Sequence, residues 1–146
     1  MLLAYFGVTS FLASAIILFT TQNLSIWKGV GMALVLCTGS DPVLMETRRL
    51  ILERAGHTVV PVLDEHALVA ACEQHKFDVA VIGQNVSPKL KRRVLTLVRK
   101  YCPSVRVLEL HHNYTSRALD NADSWLEVPT DTPGELADRV AQLAGN

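Results

Sequence analysis

Six residues whose side chains could carry chemistry lie at or just after apolar stretches: Cys37, Ser40, Gln84, Asn85, His111 and His112. A cysteine beside a histidine becomes a nucleophile when the histidine acts as its base. Cys37 lies inside the apolar run Leu34–Thr38, and no acid that could orient a histidine is evident. We therefore interpret Cys37 as a packed side chain and the histidines as loop residues. His111 and His112 are a poor metal-binding pair, because adjacent residues on an extended segment point in opposite directions.

The three cysteines, Cys37, Cys72 and Cys102, are odd in number and contain no CxxC pair. This pattern indicates neither a disulfide framework nor a zinc site, and it is typical of a protein in a reducing compartment. Cys37 and Cys72 both lie in apolar runs, so they are predicted to be buried small hydrophobic residues.

The composition bounds the class of protein. The chain has 146 residues, 14 basic and 14 acidic side chains, and 49% hydrophobic residues. This length accommodates one domain of ordinary size, and the apolar fraction excludes intrinsic disorder. The formal net charge of zero argues against bulk electrostatic binding to nucleic acid.

Residues 1–31 form an apolar N-terminal segment whose first charged side chain is Lys28. The run 2–21 is long enough for a single transmembrane helix, which takes roughly 20 apolar residues. The basic residues that follow would then place the C-terminal domain in the cytoplasm, anchored to the inner membrane. Alternatively, Met32 is the true start, because an apolar strand follows it directly, and the protein is then soluble and cytoplasmic. Both interpretations stay open.

From residue 32 onwards, apolar strands alternate with amphipathic helices. Strands are predicted at 34–38, 58–63, 79–82, 105–110 and 124–128. Helices are predicted after the N-caps Asp41 and Asp64, at Lys89–Tyr101, and after a capping box at Thr132–Glu135. The predicted inward faces are Leu44, Ile51, Leu52 and Ala55; Leu68, Val69 and Cys72; Leu90, Val94, Leu97, Val98 and Tyr101; and Leu136, Val140 and Leu143. This alternation predicts a right-handed, doubly wound α/β domain with its sites at the carboxyl ends of the strands.

With these landmarks, residues 32–146 resemble a response-regulator receiver domain, the flavodoxin-like (βα)5 module of two-component phosphorelays. The resemblance is spread over the domain and is carried by Asp41-Pro42, Glu53–His57, Phe77–Ile82, Pro103–Leu108 and Trp125–Pro129. It implies a five-stranded parallel sheet between two layers of helices.

The family's chemistry requires two acids after strand one, an aspartate phosphoacceptor after strand three, a hydroxyl after strand four and a lysine after strand five. In this sequence the acid positions fall on Gly39 and Ser40, and the phosphoacceptor position falls on Gly83 or Gln84. The hydroxyl position falls on His111 and the lysine position on Val128. None of these residues can supply a charged oxygen ligand for Mg²⁺ or form an acyl phosphate. The resemblance therefore implies a degenerate pseudo-receiver that is not an enzyme and uses no metal or cofactor.

The strongest surface feature is a basic run on the third predicted helix, made of Lys89, Lys91, Arg92, Arg93, Arg99 and Lys100. It is either a solvated helix face or a surface for a partner: an acidic protein, an anionic membrane if residues 2–21 insert, or, least favoured, nucleic acid. From this run, Lys89, Arg92, Arg93 and Arg99 are the candidate interaction residues, together with Trp125. Trp125 occupies the aromatic position that reports phosphorylation in the resembling family.

The segment between His111 and Val128 is shorter than is usual in that family. The helix between strands four and five is therefore predicted to be stunted or replaced by a loop. Because that helix contributes to the family's usual dimer face, ordinary receiver dimerisation is not expected.

We therefore expect a stand-alone, phosphorylation-independent protein-interaction module in signal transduction. Its expected partners are signalling proteins and not nucleic acid, because no reader motif with interleaved aromatic residues is present. One alternative is a flavodoxin-like domain that binds a small molecule or nucleotide around Gly39, Gly83 and His111. The other is a membrane-tethered adapter, if residues 2–21 insert.

Overall fold

The computed structural model describes residues 32–145 of the chain. The predicted N-terminal apolar helix therefore lies outside the described residues. Between residues 32 and 145, no helix is long and apolar enough to cross a membrane.

Five parallel strands form one sheet in the order β2–β1–β3–β4–β5, as the alternating pattern predicts. The strands are β1 (Leu34–Thr38), β2 (Thr58–Val62), β3 (Val79–Ile82), β4 (Arg106–His112) and β5 (Ser124–Val128). Every residue of β1 and β3 is buried, which is expected of central strands covered on both faces. At the centre of the sheet, Leu36 pairs with Val60 of β2 and with Ala80 of β3.

Within residues 32–145, four helices cover the sheet: α1 (Pro42–Arg54), α2 (Glu65–Gln74), α3 (Pro88–Tyr101) and α4 (Gly134–Ala144). Helix α1 contacts α4, and α2 contacts α3. The strand order reverses after β2, so right-handed crossovers place these two pairs on opposite faces. On one face, the main apolar core joins Val35, Val81 and Leu108 of the sheet to Leu52 of α1 and Val140 of α4.

Side chains cap three helices at their N-termini. Asp41 accepts hydrogen bonds from the Val43 and Leu44 amides, and Asp64 accepts one from the Ala67 amide, as predicted. Ser87 caps α3.

The predicted capping box of the last helix is wrong. Helix α4 begins at Gly134 and has no side-chain cap. The Glu135 carboxylate accepts instead from the Asp131 amide.

The inward faces of α2 and α4 mostly agree with the predicted apolar pattern, but that of α1 does not. Residues Met45, Arg48 and Leu52 are buried, whereas the predicted Leu44 and Ile51 are half-buried and Ala55 is exposed. The buried face of α1 is therefore rotated toward Met45 relative to the predicted stripe. The rotation brings Met45 against Gly39 at the end of β1, where an added Cβ would lie 2.7 Å from the Met45 Sδ atom. The missing Cβ of Gly39 leaves room for Met45 at the strand end, and Arg48, which already falls on the predicted stripe, is buried as well.

Two further inward positions differ from the prediction. On α3, Leu90 is 41% exposed, and the neighbouring Lys91 is buried. On α2, Ala71 is buried and Val69 is only half-buried.

Cys72 and Cys102 form a disulfide, which corrects the prediction that the cysteines are unpaired. Cys72 lies on the inner face of α2, and Cys102 is the C-cap residue of α3. The two helices pack side by side, and the Cα atoms of the two cysteines are 5.6 Å apart. A separation of 30 residues gave no sign of this proximity in the sequence.

The segment between β4 and β5, residues 113–123, contains no helix, as its shortness predicts. Strand β4 continues to His112, two residues beyond the predicted end.

Three parts of the fold meet at the buried His57. The Ala33 amide donates to His57 Nδ1 at 3.1 Å, so the ring proton lies on Nε2, which donates to the Ala137 carbonyl at 3.2 Å. One imidazole thereby connects the start of β1, the turn after α1 and helix α4.

Replacing His57 by alanine should destabilise the domain by about 2–3 kcal/mol, because the Ala33 amide and the Ala137 carbonyl lose their partner inside the protein. Urea unfolding followed by circular dichroism measures the loss. The matched control is His66→Ala at an exposed position of α2, which should change the free energy of unfolding by less than about 0.5 kcal/mol. Equal stability of the two variants would contradict this role of His57.

Candidate functional site

The candidate site lies where the carboxyl ends of β1 and β3 meet, at the reversal of strand order. Open α/β sheets bind their ligands at this place. The Thr38 hydroxyl donates to the Val81 carbonyl at 3.0 Å, and the Gly83 amide donates to the Thr38 carbonyl at 3.1 Å. The two strand ends are therefore held side by side, and each continues into a glycine, Gly39 or Gly83.

The guanidinium of Arg48 occupies the space above these glycines. Arg48 is only 5% exposed. A Cβ added to Gly83 would lie 2.8 Å from Arg48 Nη1, and one added to Gly39 would lie 3.8 Å from it. Arg48 therefore fills the place that larger side chains at two of the predicted site positions would need. In the sequence, Arg48 lies four residues after Leu44 and four before Leu52, on the predicted inward stripe of α1, whereas Arg49 and Arg54 lie off that stripe.

Few interactions within the described residues offset the cost of burying the Arg48 charge. No acidic side chain in the described part of the chain forms an ion pair with it, and its Nη2 atom is buried without a hydrogen-bond partner. Burial lowers the pKa of Arg48, while the Cys37 thiol and the more distant Asp41 carboxylate act in the opposite direction. The strand-end edge thus contains a buried cation that pairs with no carboxylate of the described residues.

Cys37 is a packed thiol, as predicted. It is fully buried in β1, and its Sγ atom lies 4.0 Å from Met45 Sδ. Burial raises the pKa of Cys37 to about 11, although Arg48 opposes the shift. The thiol is therefore protonated at neutral pH and is a poor nucleophile.

The remaining polar residues of the edge form a separate small network. The Ser40 hydroxyl donates to the Asn85 carbonyl at 3.5 Å, and His112 Nε2 lies 3.0 Å from Asn85 Oδ1. The His112 ring stacks on the exposed Tyr114, with 4.7 Å between centroids. His111 Nδ1 lies 3.1 Å from the His112 carbonyl oxygen.

Neither of the two histidines belongs to a metal-binding cluster. Among residues 32–145, no group of three His, Cys, Asp or Glu side chains is arranged to hold a metal ion. Val128 ends β5 beside His112, and Gln84 follows Gly83 with its Oε1 atom buried and without a hydrogen-bond partner.

A cavity of about 230 Å³ opens near the ends of β1 and β2, between α2 and α3. It is bordered by Gly39 and Ser40 and walled by Leu68, Val86 and Val94. Gly83 and His111 do not line it, so the three residues predicted to surround one ligand do not share this cavity.

The basic run on α3 is largely engaged within the domain. Arg93 pairs with Glu65 of α2 at 3.0 Å, and Arg99 pairs with Asp123 at 3.1 Å. Lys91 is buried, which corrects its assignment to a solvated face. Lys89 and Arg92 are exposed, and neither forms an ion pair with a described residue.

Lys91 belongs to a buried network that fixes the β4–β5 segment. Its Nζ atom donates to Glu109 Oε2 at 2.8 Å and to the Leu110 carbonyl at 2.7 Å. Glu109 is fully buried in β4 and accepts from the Ala118 and Leu119 amides, both at 2.9 Å. Burial by itself raises the pKa of Glu109, but Lys91 and the two amides outweigh it and lower the pKa.

Trp125 is held in place by contacts from the β4–β5 segment and from α4. Its Nε1 atom donates to the Leu119 carbonyl at 2.8 Å, and the Arg117 guanidinium lies 4.5 Å from the ring centroid. Arg139 of α4 donates to the Trp125 carbonyl at 2.6 Å. The indole therefore has a fixed hydrogen bond and a cation–π contact.

Thiol titration should separate the three cysteines. Native protein should give almost no reaction with a chromogenic disulfide reagent at pH 8, because Cys37 is buried with a pKa raised to about 11. In denaturant without reductant one thiol per chain should react, and after reduction all three should react. Rapid labelling of native protein would contradict the buried, protonated thiol, and three reactive thiols without reductant would contradict the disulfide.

Replacing Lys91 by methionine should destabilise the domain by about 3 kcal/mol, because it leaves the Glu109 carboxylate buried without its cation. Urea unfolding measures the change. The control is Lys89→Met, the same substitution on an exposed residue of α3, with an expected effect below about 0.5 kcal/mol.

The dependence on pH provides a second readout. The lowered pKa of Glu109 contributes stability above its ordinary value of 4.5, and this contribution is lost as the pH falls through the lower, folded-state pKa. The loss of stability on acidification should be smaller in Lys91→Met than in Lys89→Met. Identical acid profiles would contradict the proposed pairing.

Comparison with known proteins supports the fold. No family model matches the sequence, and no curated protein matches it. A response regulator from Thermotoga maritima superposes with a TM-score of 0.64 at 17% identity, covering 79% of this chain and 99% of that one. The chemotaxis response regulator CheY4 of Vibrio cholerae gives a TM-score of 0.63 at 22% identity, covering 77% and 98%. A complex of the histidine kinase ThkA with the response regulator TrrA gives a TM-score of 0.60 at 18% identity, covering 75% and 97%. The chain therefore has the CheY-like fold of response-regulator receiver domains.

Proposed function

We propose that the domain is a degenerate receiver that acts as a phosphorylation-independent, non-enzymatic protein-interaction module in signal transduction. The observation that carries this proposal is the buried Arg48 guanidinium above Gly39 and Gly83. It places a cation where the receiver reaction needs a carboxylate and a divalent metal ion.

The residues around Arg48 do not support phosphoryl transfer. Gly83 has no side chain, and the Gln84 amide is not a nucleophile that forms an acyl phosphate. Mg²⁺ requires several oxygen ligands, usually with carboxylates among them. Asp41, the acid that follows the end of β1, already accepts from two amides at the start of α1. A fixed positive charge beside it further disfavours a divalent cation.

The proposal also gives Trp125 no role in reporting phosphorylation, because the residues around it hold the side chain with fixed contacts. Glu109 binds the main chain of the β4–β5 segment, and Leu119 in turn accepts the indole hydrogen bond. A surface held in this way presents one constant shape to a partner.

Two surfaces support a role in binding proteins. On α1, Val43 is 76% exposed and Leu50 is 54% exposed, and Leu50 borders a largely apolar groove of about 510 Å³ between α1 and α4. On α3, Lys89 and Arg92 offer free charges to an acidic partner. One solved complex of the same fold pairs a response regulator with a histidine kinase, which favours signalling proteins as the class of partner.

Treatment with acetyl phosphate and Mg²⁺ tests the proposal. Intact mass spectrometry should show no added phosphoryl group, because no carboxylate lies at the ends of β1 and β3. In a Trp27→Phe background, which leaves Trp125 as the only tryptophan, the fluorescence should not change with acetyl phosphate or beryllofluoride. A receiver that retains its phosphoacceptor aspartate is the positive control. A Mg²⁺-dependent change of mass or of fluorescence would refute the proposal.

A further inference from the structure

Two buried polar atoms at the strand-end edge lack partners, and they have opposite hydrogen-bonding character. Arg48 Nη2 is a donor, and Gln84 Oε1 is an acceptor. Buried polar groups are nearly always hydrogen-bonded, and buried charges are nearly always paired. Arg48 is 5% exposed and has neither an ion pair nor a hydrogen bond to Nη2 from the described residues.

We propose that Arg48 is the central residue of a site that binds a phosphate-type oxyanion, without covalent transfer, at the ends of β1 and β3. The chemistry is common to free phosphate and to a phosphomonoester. This inference goes beyond the proposed function and does not depend on a protein partner.

A hydrogen phosphate carries the acceptor that Arg48 Nη2 lacks and the donor that Gln84 Oε1 lacks. Its charged oxygens accept from the Arg48 guanidinium, whose planar donors suit phosphate geometry. Its hydroxyl group donates to Gln84 Oε1. A chloride ion supplies charge but no hydroxyl donor, so it satisfies only the arginine.

The position and the surroundings of Arg48 fit an anion site. It lies at the reversal of strand order, in the crevice where doubly wound sheets bind ligands. With no side chain at Gly39 or Gly83, the Arg48 guanidinium lies close over the main chain of both strand ends. The loops that border this edge meet at the exposed Ser40 and Asn85, which are joined by a single 3.5 Å hydrogen bond. In the proposed site, the anion would enter past this weak contact.

Among the groups that face Arg48, one opposes an anion. The Cys37 thiol is uncharged, but the Asp41 carboxylate contributes negative potential at the guanidinium. Its hydrogen bonds to the Val43 and Leu44 amides disperse part of that charge. Asp41→Asn retains a good N-cap residue and removes the charge, so it should bind phosphate more tightly than the wild type.

Thermal unfolding of the full chain in inorganic phosphate tests the site. Saturating phosphate at pH 7.5 should raise the Tm by about 3 °C or more above the value in sodium chloride of equal ionic strength. A parallel measurement with phosphoserine distinguishes free phosphate from a phosphomonoester as the ligand. A rise of the Tm with phosphate alone indicates the free anion, and a rise with both compounds indicates a phosphomonoester. Arg48→Met should lose the shift, and Arg54→Met, an exposed arginine on the same helix, should keep it.

Arg48→Met should fold well, because it removes a buried unpaired charge and retains most of the side-chain volume. If it does not fold, the wild-type amide signals of Gly39 and Gly83 in a two-dimensional nuclear magnetic resonance titration answer the question. These signals should move saturably with phosphate and not with chloride. Equal Tm shifts in chloride and phosphate, a phosphate response that persists in Arg48→Met, or unmoved glycine signals would each overturn the inference. Inorganic phosphate does not donate a phosphoryl group. A negative result with phosphate would therefore overturn the anion site alone, whereas covalent labelling by acetyl phosphate would refute the proposed function.

Discussion

The buried guanidinium of Arg48 determines the character of the strand-end edge. It needs space at two strand ends at once, and Gly39 and Gly83 provide that space because neither carries a Cβ. Its charge raises the electrostatic potential of the crevice, and it acts directly on the thiol of Cys37. The glycines at both strand ends and the position of the Arg48 guanidinium are therefore linked features of one arrangement.

A second buried charge organises the opposite face of the sheet. Glu109 lies in the middle of β4, where an apolar residue would be expected, and Lys91 reaches it from α3. A buried ion pair of this kind contributes little net stability compared with apolar packing, because both groups lose their hydration. Its structural value here is specificity: it selects one conformation for a segment that has no helix of its own.

The sequence predicts the strands well, because a parallel sheet buried on both faces needs continuous apolar runs such as Val79–Ile82. It predicts α1 less well, since the rotation of that helix depends on a missing side chain in another element, at Gly39. The Cys72–Cys102 contact depends on how two helices pack, which no spacing rule contains. Arg48 lies on the apolar stripe of α1 and Glu109 lies inside the apolar run of β4, but a charged residue at such a position is expected to be exposed until its tertiary surroundings are known.

The contacts of Glu109 also determine which changes the β4–β5 segment tolerates. The carboxylate binds the main-chain amides of Ala118 and Leu119, and an amide is the same for every residue type except proline. At position 118, which is only half-buried, many side chains are compatible with the bond. The number of residues between Leu110 and Ala118 is not free in this way, because an insertion or deletion would move both amides away from the acid. In this part of the domain, the length of the chain is under tighter constraint than its composition.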